Sequence, residues 1–233
     1  MFKQLFDSES STYTYLIVDD ESQEALLIDP VASQIDVYMD LLATSKAQLK
    51  YAIETHVHAD HITASGLLRE KLAVQTGVSA LCGAASADLQ LNDYDILTLG
   101  KQQIRVIATP GHTAGSVSYL WHDRVFTGDA LLINGCGRTD FQGGDAGMLY
   151  DSITQRLFSL PDETLVYPAH DYQSKRVSCI GQEKVLNSRL VNQSRNTFIA
   201  MMATLDLPKP EFMDIAVSLN RRCGITEDNI QQG

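Results

Sequence analysis

The feature that most constrains this chain is Thr55-His56-Val57-His58-Ala59-Asp60-His61. His56, His58, Asp60 and His61 fall within six residues, directly after the run Tyr51 to Glu54. That run reads as a short buried strand. Imidazole nitrogens and carboxylate oxygens are the ligands of zinc, iron and related divalent ions. Four titratable groups this close would repel one another or have to stay neutral, and a bound cation removes that cost. The fold must therefore deliver rigid strand ends to a metal, since a sheet edge can hold ligands in place. The competing reading is a polar loop whose histidines only hydrogen-bond.

The same pattern, a strand that ends and a ligand that follows, recurs three times. His112 follows Ala108-Thr109-Pro110-Gly111, Asp129 follows Phe126-Thr127-Gly128, and His170 follows Tyr167-Pro168-Ala169. Each alone is weak, because a histidine near a turn is commonly a surface residue. Together with the cluster they give seven candidate ligands, all expected at strand ends. The sixth histidine, His122, lies with Asp123 in an expected hairpin turn and reads as solvent-exposed.

Along the chain, Tyr13–Val18 and Ala25–Asp29 are β-like runs joined by the turn 19–22, and Pro30 ends the second. Residues 31–45 suit an amphipathic helix with Ile35, Val37, Leu41 and Leu42 on its apolar face. Residues 63–72 suit another, with Thr63 or Ser65 as its cap. Strands are expected at 79–82, 104–108, 116–121, 124–127 and 164–167, and a helix over 148–160. From about Val177 the period is helical, broken at Leu207-Pro208-Lys209-Pro210. This order predicts an α+β fold of two sheets packed together and covered by helices. A core over 1–175 and a helical C-terminal extension over 176–233, packed on that core, are expected.

Of 233 residues 44% are hydrophobic, which is enough for a packed core, and the net charge is -11. That acidity argues against nucleic acid as the main partner, since phosphate binding needs clustered cations. Cys82, Cys136, Cys179 and Cys223 form no CxxC pair, so neither a disulfide framework nor a zinc finger is indicated. No apolar run approaches the ~20 residues of a membrane span, and the N-terminal residues carry no leader signature. A reduced, cytoplasmic location is the expectation.

The cluster, with Gly111-His112-Thr113, Gly128-Asp129 and His170, resembles the signature of the metallo-β-lactamase superfamily over about residues 10–172. That resemblance implies an αβ/βα sandwich with its metal along one edge of the sheets, and leaves the chemistry open. Further runs narrow it: Gly135-Cys136-Gly137-Arg138-Thr139-Asp140-Phe141-Gln142, Tyr167 to Tyr172, Leu207 to Pro210, and Arg222-Cys223-Gly224. These are similar to the persulfide dioxygenases, the ethylmalonic encephalopathy protein family. The resemblance implies one Fe(II) per chain, with glutathione persulfide and O2 converted to sulfite and glutathione. It also implies His56, His112 and Asp129 as iron ligands, with His58 orienting bound water or O2. Asp60, His61 and His170 match the second metal site of dinuclear relatives, expected empty here. A homodimer, and a separate rhodanese-like sulfurtransferase as partner, are further expectations.

Arg138 is the candidate catalytic anchor for the glutathione carboxylate, because a guanidinium pairs bidentately with carboxylates. The alternative is an arginine that bonds loop carbonyls. Tyr172, Lys175 and Arg176 are weaker candidates for substrate contact. Cys136, beside the expected site, is a candidate for oxidation. The chief rival function is a glutathione-thioester hydrolase of the glyoxalase II type, which usually carries a histidine where Val57 stands. A flavodiiron oxygen reductase would have Glu in place of His58. A nucleic-acid processor would need a basic face, and a non-catalytic metal-binding module remains the bland alternative.

Overall fold

A computed structural model describes residues 1–210 and 212–225, which divide into two compact units. The first comprises Met1–Leu91, Thr98–Gln103 and the stretch from Lys209; the second comprises Asn92–Leu97 and Ile104–Pro208.

The first unit is a six-stranded mixed sheet in sequence order: β1 (Phe2–Asp7), β2 (Thr12–Val18), β3 (Glu24–Ile28), β4 (Gln48–Ile53), β5 (Gln75–Ser79) and β6 (Leu89–Leu91). β2 and β3 form the expected antiparallel hairpin, with Tyr15 opposite Ile28 and Val18 opposite Ala25. From β3 to β6 the pairing is parallel, so crossovers are required. Helices α1 (Ile35–Ser45) and α2 (Ser65–Leu72) supply the first two.

Three expectations are corrected here. The buried face of α1 is Tyr38 and Leu42, whereas Val37 is 43% exposed. At about 100° per residue, Ile35, Tyr38, Met39 and Leu42 share a stripe that position 37 misses. Neither Thr63 nor Ser65 is the N-cap of α2, which is Ala64 with no side-chain cap bond, although Thr63 Oγ1 accepts from Ser65 N at 3.0 Å from one residue further out. Both hydroxyls also bond Glu54 Oε1. The segment expected as a strand at 79–82 is a 3-10 turn over Ala80–Cys82, and the strand is β5 just before it.

The second sheet has the order β12-β11-β10-β9-β8-β7. Its strands are β7 (Ile96–Leu99), β8 (Gln102–Ala108), β9 (Val117–Trp121), β10 (Arg124–Gly128), β11 (Leu165–Pro168) and β12 (Ser178–Cys179). His122 sits in the β9–β10 turn, exposed and at φ 52, as the sequence reading expects. The parallel β10–β11 step is bridged by α3 (Ala146–Asp151), which runs on through a π-helical turn over Ser152–Leu157. Asp145 caps α3 by accepting from Met148 N.

Three helices follow: α4 (Ile180–Leu186), α5 (Arg195–Ala203) and α6 (Met213–Asn220). Phe198 and Met202 of α5 are buried with Leu149, Ile153, Leu157 and Val166 in the second unit. The fold class is α+β, as the element order predicts.

Candidate metal centre

In the first unit β4 ends at Ile53 and α2 begins at Ser65, so the histidine cluster lies on the connection between them. Open α/β sheets present their ligand sites at the carboxyl ends of parallel strands. His56, His58 and His61 are buried, and Asp60 is half-buried. His58, Asp60 and His61 bring ligand atoms within 4.8 Å of one another.

Each is held by a neighbour. Thr55 Oγ1 lies 2.9 Å from His56 Nδ1 and donates to Asp29 Oδ2 at 2.9 Å, while Thr55 N donates to Asp29 Oδ1 at 2.7 Å. The same Asp29 Oδ1 is 3.1 Å from His58 Nε2. Burial by itself disfavours the His58 imidazolium, but the charge and hydrogen bond of Asp29 outweigh it and lift the pKa to about 9. Glu54 is pushed the other way from ordinary carboxylates: burial and the charge of Asp29 favour its protonated form. His61 Nδ1 lies 2.9 Å from Asp60 Oδ2 and 3.3 Å from Thr12 Oγ1.

In the second unit the strand ends deliver His112, Asp129 and His170. Asp129 Oδ1 is 2.7 Å from His170 Nδ1, and Asp129 Oδ2 is 3.6 Å from His112 Nε2. His112 Nδ1 lies 2.7 Å from the Arg138 carbonyl oxygen, an acceptor only, so Nδ1 carries the proton and Nε2 has the lone pair. Gly137 makes this approach possible. A Cβ there would fall 2.7 Å from His112 Nδ1 and closer still to the Asp129 carbonyl.

Comparison with known proteins adds to this geometry. The family model "Metallo-beta-lactamase superfamily" matches residues 8–170. Persulfide dioxygenase ETHE1, mitochondrial, of Homo sapiens is 47% identical over 228 residues, covering 97% of this chain and 89% of that protein. The chain belongs to the metallo-β-lactamase superfamily, in its persulfide dioxygenase family. The crystal structure of ETHE1 from Myxococcus xanthus superposes with a TM-score of 0.95 at 53% identity, covering 97% of this chain and all of that one. Glyoxylase B2 of Dictyostelium discoideum is more distant, at 26% identity over 93% of this chain and 88% of that protein.

The donor set of this persulfide dioxygenase family member fits a divalent metal. Each unit offers imidazole and carboxylate atoms at liganding separations, and the ring nitrogens are oriented by carboxylate, hydroxyl or carbonyl partners. The other expected contacts divide differently. Arg138 has its guanidinium engaged: Nε and Nη2 bond Asp140 at 2.6 and 2.7 Å, Nη1 bonds Pro208 O at 2.6 Å, and Nη2 bonds Leu207 O at 3.1 Å. This is the arginine that bonds loop carbonyls, and it also stacks 4.5 Å from the Phe141 ring. Tyr172, Lys175 and Arg176 are exposed, with Tyr172 stacked 6.1 Å from His170. Cys136 is buried, and burial lifts its thiol to about 11 against the opposing charge of Arg189. Such a thiol is a poor nucleophile at neutral pH.

Sequence reasoning missed Asp29, Thr55 and Gly137. Thr55 and Gly137 stand inside the motifs it quoted. Asp29 directly follows β3, and no local pattern ties it to the cluster.

Proposed function

We propose that this chain is an iron-dependent dioxygenase that oxidises glutathione persulfide with O2 to sulfite and glutathione. The observation that carries this reading is the 47% identity to a persulfide dioxygenase across nearly the whole chain. His56, His112 and Asp129 would hold one Fe(II), which would supply the redox chemistry that zinc lacks. The Asp129–His170 hydrogen bond supports a single metal, because it gives His170 an orienting role. Asp60 and His61 engage each other in a similar way.

The protein's own groups then set the reaction's surroundings. Asp129 is fixed through Oδ1, His112 is fixed in the tautomer that leaves Nε2 basic, and His56 is steered by Thr55. His58 Nε2 lies 3.1 Å from Asp29 Oδ1, and His58 is the residue that would orient O2 or water. Arg138 steadies the loop whose carbonyl holds His112, and Tyr172, Lys175 and Arg176 form an exposed flank for the glutathione moiety.

Residues 1–175 form the catalytic core and 176–233 the extension in this reading. The burial of Phe198 and Met202 with Leu149 and Ile153 supports it, while Glu211 and residues 226–233 lie outside the described part. Among described residues the four cysteines are free thiols, which suits a reducing, cytoplasmic setting; no described helix is long and apolar enough to cross a membrane. A homodimer and a separate sulfurtransferase that delivers the persulfide complete the proposal, and both rest on family resemblance.

The test is oxygen uptake by iron-reconstituted protein on addition of glutathione persulfide. Rapid uptake with sulfite formed is expected. No uptake by protein shown to hold iron would overturn the reading and favour thioester hydrolysis, which the similarity to Glyoxylase B2 keeps in view. S-lactoylglutathione is the substrate for that second test.

A further inference from the structure

We propose that Asn220, the last residue of α6, is a positioning residue of the metal centre: its carboxamide sets the shape of the ligand loop from His56 to Thr63. The proposal rests on the metal-centre reading above, and extends it to a residue that supplies no ligand.

Asn220 is 7% exposed, and its side chain reaches the loop at three points. Nδ2 donates to His58 O at 2.9 Å and to His61 O at 2.8 Å, and Oδ1 accepts from Thr63 N at 3.0 Å. Two carbonyls on one side and one N–H on the other admit a single orientation of the amide, so nitrogen and oxygen are assigned without ambiguity. Apart from an isolated bridge between Val31 and Thr63 at its far end, the loop runs between strand and helix without ladder bonds, yet its backbone is buried and must be satisfied. One carboxamide meets three of its polar groups, two of them on candidate ligand residues. A shift of about 0.5 Å in a ligand is enough to spoil a metal site, so fixing these two carbonyls bears on the histidines directly.

The segment that carries Asn220 is itself tied to the same region. Gly66 N, in the first turn of α2, donates to Cys223 O at 2.8 Å. Gly224 adopts φ 78, and a Cβ there would collide with the Thr63 carbonyl, so only glycine lets the tail lie this close. Val217 and Cys223 pack with Val57, Val78 and Cys82 in a small apolar cluster. Residues 217–224 thus buckle the loop from behind, over 157 residues of sequence separation between Thr63 and Asn220.

The consequence is linkage. If Asn220 holds the loop in its liganding shape, metal binding and docking of the 213–225 segment stabilise each other, and the coupling is reciprocal. The experiment uses the full chain with Fe(II), and Co(II) as spectroscopic probe, in the native protein and in Asn220→Ala and Asn220→Asp. Asn220→Asp keeps an acceptor for Thr63 N but loses both donors and sets carboxylate oxygen against two carbonyls. Both variants are expected to bind Fe(II) about 10- to 100-fold more weakly in chelator competition, the usual range for lost outer-shell partners. The Co(II) ligand-field bands should shift, and kcat should fall with KM for the persulfide unchanged. Native affinity and native bands in both variants would overturn the proposal.

If both variants fail to fold, hydrogen exchange of the native protein decides. The Thr63 amide and residues 213–225 should gain protection on metal loading, and unchanged protection there would overturn the proposal. These metal readouts involve no persulfide. Variants that bind metal weakly, in a protein that consumes no O2, sink only the dioxygenase reading; normal O2 uptake with unaltered metal affinity in the variants sinks only the role of Asn220.

Discussion

Asp29 is the residue on which most of the first unit's site geometry converges. It is fully buried, adopts φ 51, and serves Thr55 N, Thr55 Oγ1 and His58 through its two oxygens. Aspartate tolerates this left-handed conformation better than most residues, and the conformation turns its side chain across the end of β4. Thr55 relays that order to His56. Replacing Thr55 by Val keeps the shape and removes the hydroxyl; Fe(II) affinity should fall by about 10-fold or more, with circular dichroism unchanged. Chelator competition measures it, and native affinity in Thr55→Val would show that His56 needs no relay. Arg138 is a second residue-scale case. Arg138→Lys cannot reproduce the fork to Asp140 together with the two carbonyl bonds. We expect a stability loss of about 1 kcal/mol, discounted for partial exposure, and a lower kcat through the slackened Arg138–His112 contact. An apparent KM that rises with no change in Tm would restore the substrate-anchor role.

At the scale of elements, β1 shows how an unremarkable stretch becomes structural. Phe2 to Asp7 pair residue by residue with β2, from Ile17 to Thr12, and the strand ends on the buried carboxylate of Asp7. Asp7 accepts from Ser10 N and Oγ, Ser33 Oγ and Gln34 Nε2, so it pins β1 to the entry of α1. Burial alone would raise its pKa, but these hydrogen bonds win and hold it below the ordinary value of 3.8. A carboxylate depressed in the folded state stabilises above its unfolded pKa, and that stability is lost as pH falls through the folded pKa. Asp7→Asn should therefore be less stable than the native protein at pH 7, and the gap should close below about pH 4. Urea midpoints across that range test this; a gap that is constant with pH would place the effect elsewhere. Among the elements, the hairpin, the long strands and the helices over 35–45 and 65–72 were legible, because their periods run long enough to read. β1, β6 and β7 were not. β6 and β7 are three and four residues long, and β1 mixes exposure with apolar content so that no clean alternation appears.

For the whole molecule, the expected consequence of a metal centre is that stability depends on the metal. A ligand bound only by the folded state at about 100 times its Kd adds roughly 2.7 kcal/mol, or several degrees in Tm for a chain of this size. Chelation should lower Tm by that amount and Fe(II) should restore it, in a calorimetric scan run under anaerobic conditions; a Tm indifferent to chelator would mean that the folded state gains nothing from the ion. The candidate ligands themselves were all readable from the sequence, because ligand chemistry resides in residue type and each candidate announces itself at the end of an apolar run. Their supports were decided by tertiary structure alone. Asp29, Asn220 and the Arg138 carbonyl reach the histidines from 29, 162 and 26 residues away, and nothing local marks them. The sequence determined which atoms could hold a metal, since a side chain's donor atoms are the same in any fold. Where those atoms point was decided only when distant segments closed on one another, because orientation comes from hydrogen bonds made across the fold.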